Sequence, residues 1–220
     1  MFTTLTAADG HDFACWMQRA QGEARGNLVI LQEIFGVTDQ LKGVAAHYAA
    51  HGLNVAIPAL FDRVERDAVV AFDAPQRGQE LMQRADTGQM MADIAATVQA
   101  MAAKGGKVAV LGFCRGGGLA IKAALEMEIA CAVSFYGTRI PEYLGPDQKA
   151  PVMAHFGVHD SHTPREVIEQ AREALPDMAM FIYDAGHAFA NDRRPKSYNP
   201  QAAELAHQRS LAFVLQHLAP

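Results

Sequence analysis

Cysteine is scarce in this chain of 220 residues: there are three, at positions 15, 114 and 131, an odd set with no CxxC pair. That excludes a disulfide framework and a cysteine-built zinc site. Long apolar runs are absent as well; none reaches the ~20 residues that a membrane-spanning helix needs, so no membrane partner is expected. The first ten residues carry neither a basic start nor a continuous apolar stretch. No secretory signal is read there, and a reducing, cytoplasmic setting is expected. Charge of neither sign dominates: 19 basic against 24 acidic side chains leave a formal net charge of −5. Without a basic field the chain has no electrostatic grip on nucleic acid, and a small molecule is the expected partner. Internal repeats, low-complexity tracts and linkers are also missing. Half of the residues are apolar, enough for one sizeable core, so residues 1–220 are read as a single domain and as a monomer.

What is present is an alternation of strand and helix patterns. Residues 3–6 and 13–18 flank Asp9-Gly10, a hairpin signal that predicts two antiparallel edge strands. Leu28-Val29-Ile30-Leu31 reads as a buried strand ending at Gln32-Glu33. Leu41, Val44, Ala45 and Tyr48 recur at helical spacing behind a start signal at Thr38 or Asp39, and residues 53–57 return to strand before Pro58. Residues 59–77 have no period, mix charge with Pro75 and are expected to form a loop across the top of the sheet. One long helix follows, with Met91, Ile94, Ala95 and Val98 on its apolar stripe, Met82, Met90 and Met101 as further filling, and Gly105-Gly106 at its end. Strands at 107–111, 133–136, 152–156 and 179–183 alternate with helical patterns up to Leu211, Val214, Leu215 and Leu218. The class is α/β, with a mostly parallel, doubly wound sheet flanked by helices and a site at the carboxyl ends of its strands.

The richest segment is Gly112-Phe113-Cys114-Arg115-Gly116-Gly117, between a buried strand and a helical pattern. A thiol there stands on a sharp strand-to-helix turn, at a helix N-terminus whose N–H groups favour thiolate and can hold an oxyanion. Val158-His159-Asp160 and Ala185-Gly186-His187-Ala188-Phe189 follow, each behind an apolar strand. Nucleophile, acid and histidine thus come in the order of an α/β-hydrolase. Cys114 is read as nucleophile, His187 as the base and acid that exchanges protons, and Asp160 as the group that orients the imidazole. His159, His162 and Asp184 are the competing residues nearby. The backbone N–H groups of Arg115 and Ile34 are the expected oxyanion donors. The Arg115 side chain is either a solvated helix-start group or a cation facing the substrate. Cys15 and Cys131 read as small core residues. No set of residues has metal-ligand spacing, and thiol hydrolysis needs no cofactor.

Four segments resemble the dienelactone hydrolase family: Gln32-Glu33-Ile34-Phe35-Gly36-Val37, the cysteine elbow, Phe135-Tyr136-Gly137, and Ala185-Gly186-His187-Ala188-Phe189-Ala190. The resemblance implies the α/β-hydrolase fold and cleavage of a small anionic enol-lactone or ester through an acyl-cysteine. It also implies that Glu33 accepts the proton of a resting thiol once an anionic substrate enters. Two arginines would then bind the substrate carboxylate. Arg77 is the best counterpart of the first, with Arg66 and Arg84 as alternatives. The second is expected four residues beyond the histidine, where this chain has Asn191; Arg193 and Arg194 are the nearby substitutes. Tyr136 either lines the pocket or fills the core. A broader carboxylesterase or thioesterase with the same triad, and a non-catalytic small-molecule binder, are the rival functions.

Overall fold

Asp9 and Gly10 turn the chain back on itself: Gly10 takes φ +84°, a left-handed conformation that glycine adopts at no steric cost. The computed structural model describes residues 1–219. They form two compact units, residues 1–108 with the C-terminal end from Leu218, and residues 109–217. Several elements depart from what the sequence predicts.

In the first unit β1 (Phe2–Thr6) and β2 (Asp12–Gln18) form the antiparallel hairpin, β3 (Gly26–Leu31) pairs parallel with β4 (Leu53–Pro58), and the order is β1-β2-β4-β3. β2 is not an edge strand, because its other side pairs with β4 from Cys15↔Pro58 to Gln18↔Val55. Successive residues of β2 face opposite sides. Cys15 reaches Thr97 of α3 (Thr87–Ala102), whereas Trp16 meets Lys42 of α1 (Asp39–Ala50), whose ammonium is 5.1 Å from the indole centroid. Helices therefore cover both faces of this unit. Thr38 caps α1 by accepting from the Leu41 N–H at 3.2 Å.

The long helix expected after residue 77 is two helices, α2 (Pro75–Arg84) and α3, broken where Asp86 caps α3 by accepting from the Gln89 N–H at 2.9 Å. Met82 thus lies on a different helix from Met90, Met91 and Met101. In α2 only Gly78 and Leu81 are buried, so no apolar stripe advertised it, but Pro75 opens it with the φ a first helical turn requires. Arg77 consequently sits on a helix rather than in the loop. The loop before it has its own small core of Phe35, Phe61, Val70 and Leu81. Arg63 straps it down through paired hydrogen bonds to Asp9 and to the buried Asp93.

The second unit is a parallel sheet in the order β5 (Val108–Phe113), β6 (Cys131–Phe135), β7 (Val152–Gly157), β8 (Ala179–Tyr183). The first of these strands was read to end at 111 and instead runs into the elbow. Neighbouring β6 residues again point apart: Ser134 lies against Gly117 of α4 (Arg115–Glu126), while the Phe135 ring is 4.8 Å from that of His207 on α6 (Pro200–Leu218). Helices flank both faces here too. The short α5 (Arg165–Ala174) completes the set. No described helix is long and apolar enough to cross a membrane.

Beneath the site, His155 is fully buried in a closed chain of hydrogen bonds: Arg209 to the Tyr183 hydroxyl at 3.1 Å, that hydroxyl to Nδ1 at 2.9 Å, and Nε2–H to Ser210 Oγ at 2.9 Å. Ser210 donates onward to the Ala206 carbonyl at 2.7 Å, which fixes the direction of every proton. Burial, helped by the charges of His207 and Arg209, holds the His155 imidazole down to about 3. As pH falls below ~6.5 the unfolded chain binds this proton while the folded one refuses it, so stability is lost on acidification and untouched above. We expect His155→Phe, which removes the titration, to flatten the decline in unfolding free energy between pH 7 and 5 by up to ~1.4 kcal/mol per pH unit. Denaturant titrations at both pH values measure it, and an unchanged slope would place the acid sensitivity elsewhere.

Candidate active site

Cys114 alone makes the turn from β5 into α4, at φ 53° and ψ −117°. That left-handed conformation is strained for a residue with a Cβ, by ~1–3 kcal/mol, and is held by its surroundings. The Cys114 N–H donates to the Phe135 carbonyl at 3.0 Å, and its carbonyl accepts from the N–H groups of Gly117, Gly118 and Thr138. Gly112 permits the bend, since a Cβ there would stand 2.0 Å from the Gly116 carbonyl oxygen. Of the five described non-glycine residues with positive φ, Cys114, Tyr136 and Ala188 border this site, so local strain is concentrated where the strand ends converge.

The loop after β7 carries Asp160 and the loop after β8 carries His187. Backbone hydrogen bonds from Val158 to Tyr183 and from His159 to Ala185 lock the two loops together, and the Thr163 hydroxyl ties the first to Gly137 at 2.8 Å. The Asp160 side chain is fully buried; Oδ2 accepts from His187 Nδ1 at 2.7 Å and Oδ1 from the His162 N–H at 2.8 Å. Burial works to raise its pKa, but the His187 hydrogen bond and charge outweigh it and keep the carboxyl below its ordinary range. For His187 burial disfavours the charge, yet hydrogen bonds with Asp160 and with the Cys114 thiol prevail and push the imidazole up to about 10. With Nδ1–H given to Asp160, Nε2 is left for the sulfur. The arrangement sets an imidazole that can exchange protons beside a nucleophilic sulfur.

The rival acid is elsewhere. Asp184 is exposed and accepts from His159, itself exposed, at 2.7 Å. Tyr136 is 1% exposed, and its ring meets that of His187 edge to face at 5.1 Å. The Arg115 guanidinium is not solvated. It is buried, donates to the Tyr143 hydroxyl and lies 5.5 Å from that ring's centroid, and burial pulls it down to about 10. Its backbone N–H belongs to the first turn of α4, where donors have no acceptor within the helix.

Asn191 is buried, and its side chain accepts from the Arg193 N–H at 3.1 Å, so it shapes the loop. Arg193 is exposed; Arg194 is half-buried and its charge acts on His162. His162 is the neighbour that sequence reading set aside: its ring stacks on that of His187 with centroids 4.4 Å apart and planes 28° apart. Its only sequence signal was its place two residues after the acid. Asp160, His162 and His187 each bring one ligand atom within 4.8 Å of the others, a donor set that linear spacing did not announce.

Glu33, Ile34 and Arg77 belong to the first unit. Glu33 is buried directly after β3, and Ile34 lies under α2, where a Cβ on Gly78 would come 2.1 Å from the Ile34 carbonyl oxygen. Arg77, next to that contact, pairs with Glu65 and lies 3.9 Å from Glu80. Its charge is thus shared with two carboxylates at a half-exposed surface. Arg66 donates to the Asp12 carbonyl, and Arg84 ends α2. Cys15 and Cys131 are fully buried, and burial pushes both thiols up to about 12.

The family model described as the dienelactone hydrolase family matches residues 16–218. A carboxymethylenebutenolidase of Pseudomonas sp. (strain P51) is 34% identical over 226 residues, covering 96% of this chain and 93% of that one. Another, from Pseudomonas putida, is 30% identical over 223 residues, covering 96% and 94%. Among solved structures, a candidate dienelactone hydrolase from Klebsiella pneumoniae subsp. pneumoniae MGH 78578 shares the fold at a TM-score of 0.83 and 24% identity, with 98% of both chains covered. An esterase of Pyrococcus furiosus does so at 0.72 and 14% identity, covering 100% and 93%.

Proposed function

The chain belongs to the dienelactone hydrolase family and is a hydrolase of ester or lactone bonds, and from that premise we propose that it opens a small anionic enol-lactone or ester through an acyl-cysteine. The observation that carries this reading is the hydrogen-bonded series Asp160, His187, Cys114 on a strained elbow. Cys114 passes its thiol proton to Glu33 as its sulfur attacks the carbonyl carbon, and the carbonyl electron pair moves to oxygen, to be met by the N–H groups of Arg115 and Ile34. As the intermediate collapses, the C–O bond breaks and His187 gives its Nε2 proton to the leaving oxygen. A water then loses a proton to His187 and attacks the thioester; the C–S bond breaks, the carboxylic acid leaves and the sulfur takes its proton back from Glu33. In a lactone both products stay in one molecule. Three cysteines without a disulfide suit such chemistry in a reducing, cytoplasmic setting.

Glu33 is the proposed acceptor of the thiol proton when an anionic substrate enters; a buried carboxylate at a strand end suits a role that a solvated one could not perform. For the substrate carboxylate, Arg194 is favoured over Arg193 because its charge acts on His162, the ring stacked on His187. The pairing of Arg77 with Glu65 and Glu80 favours a second reading, a broader carboxylesterase without a two-arginine clamp. Matched neutral and anionic esters separate the two. We expect Arg194→Ala to raise KM about tenfold for the anionic ester alone, and Glu33→Gln to lower kcat for it with little change in KM. Equal rates on both esters, unaffected by either substitution, would leave the generic esterase.

A further inference from the structure

We propose that Asp160, His162 and His187 form a binding site for a divalent transition-metal ion of the zinc type, and that filling it switches the enzyme off. Two imidazoles and one carboxylate are a donor set that suits zinc and its neighbours, whereas magnesium and calcium prefer oxygen alone. The three ligand atoms lie within 4.8 Å of one another. His162 Nδ1 is 3.7 Å from Asp160 Oδ1, and His187 Nδ1 is 2.7 Å from Asp160 Oδ2. A tetrahedral ion with bonds of ~2.0–2.2 Å holds its ligands roughly 3.3–3.5 Å apart, so His162 must come in slightly toward Asp160 while Asp160 and His187 part by roughly 0.7 Å. His162 has the greatest freedom to move: its side chain is 59% exposed, against 0% for Asp160 and 13% for His187. The exposed imidazole is also the way in from solvent, and the backbone N–H that it offers Asp160 remains in place as the ring turns.

Coordination replaces a proton. The His187 Nδ1–H bond breaks, its proton leaves to solvent, and the nitrogen lone pair goes to the metal. The ring's one remaining proton then sits on Nε2, the nitrogen facing Cys114; giving it to the leaving oxygen would leave an imidazolate, so the metal-bound ring no longer serves as the acid of acylation. The imidazole is held in the wrong tautomer, and turnover stops. This rests on the proposed triad for its consequence but not for the binding itself, which needs neither sulfur nor substrate.

The test has two arms. Hydrolysis of a neutral chromogenic ester is followed in buffers of fixed free Zn²⁺, and each variant is compared with its own metal-free rate. We expect the unaltered protein to lose activity at micromolar Zn²⁺ and recover it with a chelator, while millimolar Mg²⁺ has no effect. His162→Ala should need at least about tenfold more Zn²⁺ for half-inhibition, the loss of one ligand bond. In the second arm Co²⁺ is titrated into Cys114→Ser and watched by visible absorption; one ion should bind, and adding His162→Ala should weaken it by a similar factor. Failure of the unaltered protein to respond to Zn²⁺ up to about 1 mM, or equal half-inhibition with and without His162, would overturn the proposal; the latter would put the ion on Cys114 and His187. If no ester is turned over, the function reading fails and the Co²⁺ arm alone decides the metal site.

Discussion

Cys114→Ala is expected to remove turnover by about four orders of magnitude or more while leaving the unfolding midpoint almost unmoved. The two outcomes have separate causes. On the proposed mechanism, loss of the nucleophile takes away the covalent route itself, and His187 and Asp160 cannot substitute for it because they would act only through it. Stability is spared because Cys114 is half-exposed and contributes little core volume, and because alanine at φ 53° bears the same strain that the cysteine did. The strain is a property of the elbow, held by the carbonyls and N–H groups of Phe135, Gly117, Gly118 and Thr138. A slow ester should leave one acyl group on the unaltered chain, on the peptide that contains Cys114. Cys15 and Cys131 have thiols raised to about 12 by burial and should remain unlabelled at neutral pH. Acylation at either of them, or substantial activity in Cys114→Ala, would sink the nucleophile assignment.

Much of this was legible in the chain because the candidate site residues stand where apolar runs give way to short polar and glycine-containing loops. Gly112 before Cys114, Gly157 before Asp160 and Tyr183 before His187 each close an apolar run, and parallel pairing then aligns those ends without further instruction. Asp160 is preferred over Asp184 from its place after β7; Asp160 is buried and Asp184 is exposed. What stayed hidden depends on contacts that have no period. Helix α2 is nearly all exposed, so nothing apolar repeats along it, and its position is set instead by the approach of Gly78 to Ile34. The burial of Arg115 depends on Tyr143, 28 residues away, which no local pattern links to it. His162 likewise looked like a loop histidine; its importance comes from the stacking on His187 that the joining of two loops creates.

Asp160→Asn should cost nearly as much activity as loss of His187, although it changes one atom. The His162 N–H demands an acceptor from Asp160 Oδ1 at 2.8 Å, so the amide oxygen of asparagine is drawn there and the NH₂ group is turned toward His187 Nδ1. That nitrogen must then accept rather than donate. The ring proton moves to Nε2, facing the sulfur, and the base is lost; a fall of about 10⁴ in kcat is the scale for this fault. His187→Ala should be at least as damaging, and a larger effect from Asp184→Asn would mean that the acid is misassigned. The pair also leaves a stability signature. His187 is raised to about 10, so its contribution is complete below ~6.5 and fades as pH rises toward 10; Asp160 is held below its ordinary value, so its contribution is complete above ~4 and fades in acid. The difference in unfolding midpoint between the unaltered protein and Asp160→Asn should therefore be largest near pH 5–6 and shrink on both sides. A difference independent of pH would mean that the substitution acts through packing alone, and that Asp160 and His187 are not charged partners.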